Sequence, residues 1–119
     1  MYEEDYIIRM IKDLIRFLAR IFFKKDKITY ELSYSEKYIK TDLLHKQLVG
    51  LINEGRINEA EDLLFMEIEP GNRKFMELAL DFYERLNNLS NEFLESNSFS
   101  REEIEEGLKE VAQLFGIYI

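Results

Sequence analysis

Residues 6 to 22 read Tyr-Ile-Ile-Arg-Met-Ile-Lys-Asp-Leu-Ile-Arg-Phe-Leu-Ala-Arg-Ile-Phe, and their periodicity decides the fold class. At 100° per residue, Tyr6, Ile7, Met10, Ile11, Leu14, Ile15, Phe17, Leu18, Ile21 and Phe22 cover roughly half of a helix circumference. Arg9, Lys12, Arg16 and Arg20 fall on the opposite side. The pattern stops at Lys24-Lys25-Asp26-Lys27, where cations suit a helix C-terminus, so residues 1–25 are predicted to form one amphipathic helix.

The rest of the chain continues in helices. Ile28, Tyr30, Leu32 and Tyr34 alternate like a short strand, yet Tyr30, Tyr34 and Tyr38 also recur at helical spacing, so residues 28–34 stay open among strand, loop and helix. Ser33 with Glu36 forms a capping-box pair, predicting a helix from Tyr34 to Asn53 that ends at Gly55. Asn58 is the expected N-cap of the next helix, which stops before Pro70-Gly71. From Asn72 to about Ser96 one apolar stripe runs through Phe75, Leu78, Phe82, Leu86, Leu89 and Phe93, predicting a single long helix at the centre of the molecule. Ser100 and Glu103 open a last helix closed by Gly116, and Gly107 within its apolar face predicts tight approach by a neighbouring helix. The expectation is an all-α, five-helix, mostly antiparallel bundle with a helical hairpin at residues 34–69 and one body spanning 34–119.

Composition agrees with one domain. A chain of 119 residues, 46% hydrophobic and 34% charged, buries a core without cross-links. Its single proline and five glycines leave little room for linkers, and the lack of cysteine excludes disulfides and thiolate chemistry. Glu3, Glu4 and Asp5 stand where a secretion signal would carry positive charge, so a cytoplasmic location is expected. The net charge of -8 is uneven: residues 1–27 hold seven Lys or Arg against five Asp or Glu, and residues 28–119 hold nine against nineteen. So acidic a body repels phosphate backbones, and nucleic acid is not an expected partner.

Two resemblances bear on this. The opening Tyr2-Glu-Glu-Asp-Tyr-Ile-Ile-Arg-Met-Ile-Lys-Asp-Leu-Ile-Arg-Phe-Leu, with the later Leu-Ile-Asn-Glu-Gly-Arg-Ile-Asn-Glu-Ala-Glu-Asp-Leu-Leu, resembles a small bacterial family of unknown function, which implies an all-helical fold and no particular activity. Gly55-Arg-Ile-Asn-Glu-Ala60, after Leu44, Leu48 and Leu51, resembles the joint between the helices of a tetratricopeptide repeat, over residues 44–70. That likeness implies an interaction module, although Gln47 replaces a usual leucine, Pro70 comes early and no second copy follows.

Candidate chemistry is sparse. His45, the only histidine, has Asp42 one turn before it and could serve as a ligand or acid-base couple, but it lies on or beside its helix's apolar stripe, where a packed or rim histidine is the ordinary outcome. Glu102, Glu103, Glu105, Glu106 and Glu110 lack the Glu-x-x-His spacing of carboxylate metal bundles and read as a solvated face. The serines have no nucleophile-elbow context and the glycines make no phosphate loop. The expectation is therefore no enzyme, no metal and no cofactor.

What remains is surface. The first helix has three readings: a core helix covered by its own chain, a helix shared with a second subunit or partner, or a membrane-surface helix, the last weakened because its cations lie opposite the apolar side. The chain is expected to be a non-catalytic interaction or assembly protein with a protein partner, possibly a second copy. The expected surface is Phe17, Ile21, Phe22, Phe65 and Met66. The alternatives are a peripheral membrane protein using Arg9, Lys12, Arg16 and Arg20, or a ligand carrier or enzyme using His45.

Overall fold

A computed structural model describes residues 2–32 and 39–119. Among them run six helices: α1 (Tyr2–Phe23), α2 (Ile39–Asn53), α3 (Ile57–Glu67), α4 (Arg73–Asn87), α5 (Asn91–Ser96) and α6 (Arg101–Leu114). The all-α expectation holds, with one helix more than the five expected.

Helix α4 is the centre because its apolar face is wide, with Arg73, Lys74, Glu77, Glu84 and Arg85 confined to one polar side. It packs against α1, α2 and α6, and ten of its fifteen residues are buried, from Phe75 to Asn87. It runs antiparallel to α1: Arg73 at its start donates to the Phe22 carbonyl and lies over the Phe23 ring, while Asn87 at its end donates to the Ile8 carbonyl at 3.1 Å. Helix α6 runs back along α4, bringing Phe115 edge-on to Phe22 with ring centres 5.8 Å apart. On another side of α4, α2 and α3 form an antiparallel hairpin, with Lys40 Nζ 3.4 Å from Glu67 Oε2.

Local signals explain the ends. The N–H of Arg56 donates to the Leu51 carbonyl and that of Gly55 to Ile52, a turn that needs a left-handed residue at Gly55, where φ is +79°. A Cβ there would also come within 2.4 Å of Asn97 Oδ1, so glycine serves both the turn and the approach of the segment after α5. Ser100 and Glu103 make the reciprocal capping box expected of them. The proposed Ser33–Glu36 cap, and a helix start at Tyr34, lie outside the described residues.

Two expectations are corrected. Asn58 is not an N-cap: α3 begins at Ile57, which is fully buried, and Arg56 occupies the cap position, its side chain bonded to Glu59 and making no capping bond. Asn58 instead donates its side-chain amide to the Ser98 carbonyl. The single helix over 72–96 is two helices, because buried Arg101 on α6 takes the carbonyls of Asn87 at 2.6 Å and Leu89 at 2.7 Å. Ser90 then caps α5 by accepting from the Phe93 N–H. The apolar phase continues through the break, which is why periodicity alone conceals it.

Candidate functional site

Residues 28–32 explain the described part of the ambiguous alternation, Tyr34 lying outside the described residues. Ile28 and Tyr30 are buried and Thr29 and Glu31 exposed, as in a strand, yet the backbone bonds go to side chains of α4. Tyr30 N–H donates to Asp81 Oδ1 at 3.0 Å, Glu31 N–H to Glu77 Oε2 at 3.1 Å, and Lys74 Nζ to the Glu31 carbonyl at 2.7 Å. Residues 28–32 are thus an extended strap across the middle of the molecule.

This strap completes a polar cluster around His45. The imidazole stacks on the Tyr30 ring at 4.5 Å between centres, and its Nε2 lies 3.0 Å from Asp81 Oδ2. Arg85, one turn after Asp81 on α4, donates Nε to the same oxygen at 2.7 Å. The Tyr30 hydroxyl donates to Asp42 Oδ1, and Lys74 Nζ stands 4.4 Å above the Tyr30 ring. Burial alone would raise the Asp81 carboxyl, but the bonds from His45, Arg85 and the Tyr30 N–H, with the Arg85 charge, hold it below the usual carboxylate value. Burial, then the bond to Asp42, pushes the Tyr30 phenol well above its ordinary value.

His45 is a half-buried rim histidine, the ordinary outcome for its position, and the candidate couple with Asp42 is not formed: His45 meets Asp81, while Asp42 serves Tyr30. Asp81, Arg85 and Tyr30 escape a sequence reading, the one available signal being an acid inside the apolar run Leu78 to Phe82. The cluster forms the floor of an open groove of about 520 Å³. Leu32, Leu43 and Val49 supply its apolar wall, and Lys46 and Arg85 stand beside His45 along it.

A second surface lies on α1. Ile11 and Leu18 are fully buried, but Phe17 and Ile21 keep 45% and 43% of their surface exposed and Tyr6 keeps 64%. These three, with half-buried Met10, follow helical spacing along one edge, and exposed Arg9, Lys12, Arg16 and Arg20 occupy the adjoining outer face. The cations therefore border the uncovered part of the apolar face, rather than standing wholly opposite it. Phe22 is half-buried against Phe115. Met66 is exposed and Phe65 half-buried on α3, which packs on α2, so the five expected interface residues are split between two surfaces.

Glu102, Glu106 and Glu110 are exposed along α6, Glu103 is committed to the cap and Glu105 pairs with Lys109. Among the described residues no three histidine or acidic side chains gather to hold a metal ion, and no helix is long and apolar enough to cross a membrane.

A model of a family of unknown function, DUF6483, matches residues 1–116, and the chain belongs to that family. No curated protein and no solved structure matches it.

Proposed function

We propose that the chain is a non-catalytic interaction module that docks a partner protein along the exposed edge of α1. One observation carries this reading: Phe17 and Ile21 leave nearly half their surface in solvent although Leu18, between them, is fully buried. A helix that served only its own core would turn polar residues to that edge. The neighbouring cations Arg9, Lys12 and Arg16, which outnumber exposed Asp13 on that side while Arg20 is held by Asp26 at 2.6 Å, add charge selection, so the partner that fits is an acidic amphipathic helix with its apolar stripe on Phe17 and Ile21.

A second copy fits less well, because two α1 edges meeting about a two-fold axis bring like charges together. A membrane surface is opposed by the net charge of -8, which anionic lipid repels, and by the narrowness of an edge whose other side is packed on α4 and α6. The tetratricopeptide-like hairpin of α2 and α3 supports an interaction role in general, and the cysteine-free composition suits the reducing cytoplasm in which we place the protein.

A displayed library of helical peptides, selected on the wild-type chain and counter-selected on Phe17→Glu/Ile21→Glu, tests the reading. The selected peptides should carry acidic residues beside an apolar stripe and lose binding to the double variant. Peptides that bind both proteins equally, a dimer seen by light scattering that the double variant abolishes, or co-sedimentation with phosphatidylserine vesicles through this edge would each contradict it.

A further inference from the structure

We propose that the cleft between α1 and the end of α4 is a binding site for a doubly charged phosphoryl group, as inorganic phosphate or as the phosphomonoester of a small polar molecule. Lys12 and Arg16 of α1, Asp26 and Lys27 of the segment that follows it, and Glu84 and Asn88 of α4 enclose a volume of about 280 Å³. That is more than a phosphoryl group fills and close to the lower end of pockets that hold small molecules. The site is separate from the edge at Phe17 and Ile21, which do not line it, and does not rest on the reading above.

The charges at this cleft do not balance. Asp26 is taken by Arg20, whose Nε lies 2.6 Å from its Oδ1, so these two cancel. Lys12, Arg16 and Lys27, all exposed, then face the single carboxylate of Glu84, which leaves an excess of two positive charges in a chain whose net charge is -8. Asp13, the nearest other acid on this stretch of α1, stands about 100° round the helix from Lys12, on the Phe17 side. Cations gathered round one space repel one another, and a dianion offsets that repulsion where a monoanion leaves half of the excess. The donors suit a tetrahedral group approached from several sides: the Arg16 guanidinium offers paired N–H bonds, the two ammonium groups act as point charges, and Asn88 adds a side-chain amide. The one apolar side chain lining the cleft, Ile15, is buried, so an apolar body has no wall to lie on.

Amide NMR titrations at about pH 7.5 and roughly 20 mM ionic strength, where exposed charges are screened least, test this with inorganic phosphate, glycerol 2-phosphate, acetate and glycerol. Both phosphoryl probes should give saturable shifts at Lys12, Arg16, Lys27 and Asn88, acetate should bind at least about tenfold more weakly, and glycerol should leave these signals unmoved. Tighter binding of inorganic phosphate would mark the free ion as the occupant and tighter binding of glycerol 2-phosphate the ester, each in support. Lys27 lies outside α1, so Lys27→Gln should weaken phosphate by about threefold or more without disturbing the edge at Phe17 and Ile21, whereas Glu84→Gln, which removes the opposing charge, should tighten it by about threefold. No saturable shift at these four amides, equal binding of acetate and phosphate, or a folded Glu84→Gln protein that binds phosphate no more tightly than wild type would overturn the proposal.

Discussion

Asp81 on α4 and His45 on α2 are 36 residues apart in the chain and 3.0 Å apart in the fold, and through this bond α2, the strap at Tyr30 and the central helix meet on one carboxylate. A buried acid bound by three donors is costly to remove by halves, because each donor then loses its acceptor.

Asp81→Asn should therefore destabilise the protein by about 2–4 kcal/mol at neutral pH, measured by urea unfolding. The carboxyl is held below its unfolded value, so its contribution is fully present above about pH 4 and is lost as pH falls through the lower folded value. The difference between wild type and Asp81→Asn should stay constant down to about pH 4 and shrink only below it.

Glu61 should behave in the opposite sense. Its carboxyl accepts from the Tyr83 hydroxyl at 2.7 Å, and burial raises it above the ordinary glutamate value in spite of that bond. A raised folded value favours the protonated form, so the associated stability is present below the unfolded value, about pH 4.5, and is lost as pH rises through the folded one. Glu61→Gln keeps an acceptor without the charge, so its stability relative to wild type should improve from pH 4 to pH 7, read from thermal melts at both ends.

Gly107 leaves the space that this pair occupies. A Cβ at position 107 would lie 2.3 Å from both Glu61 Oε2 and the Tyr83 hydroxyl, so the close approach expected from sequence is made by two side chains, from α3 and α4. Gly107→Ala should destabilise by about 1–2 kcal/mol, overpacking outweighing a helix-propensity gain of about 1 kcal/mol. An increase in melting temperature would refute this account of the glycine.

Arg101 holds the junction of α4 and α5 by donating to two backbone carbonyls and to the side chains of Asn87 and Asn91. Arg101→Ala should cost about 2–4 kcal/mol in urea unfolding, and Arg101→Lys should recover less than half, since an ammonium cannot span the same acceptors. Amide exchange in the variant should accelerate first at residues 88–97.

Interactions that span a few residues are legible in the sequence, and those made by tertiary packing are not. The capping box at Ser100 and Glu103 and the turn at Gly55 are written within a few residues and appear as expected. A single helix over 72–96 is what periodicity alone predicts, and its interruption comes from Arg101, outside the segment. Asn58 has the chemistry of a cap, but burying Ile57 moves the cap position two residues earlier, to Arg56. The α1 edge was legible in part, since ten apolar residues on one helix exceed what α4 and α6 cover. The cluster at His45 was not, because Asp81 and Arg85 reach it only through tertiary packing.

The exposed edge of α1 also predicts a contrast between adjacent residues. Leu18→Ala removes a fully buried side chain and should cost about 2–5 kcal/mol, whereas Phe17→Ala, nearly half exposed, should cost no more than about 1.5 kcal/mol. Thermal or urea unfolding of the two variants decides it, and equal losses would place Phe17 in the core and withdraw it from any surface.

The central claim, that this edge receives a partner helix, is tested most directly by NMR shift mapping of the intact chain with a peptide selected as described. The largest amide changes should fall on α1 between Tyr6 and Ile21, with Phe17 and Ile21 prominent. Changes confined to the groove at Leu43 and Val49, with α1 unmoved, would contradict it.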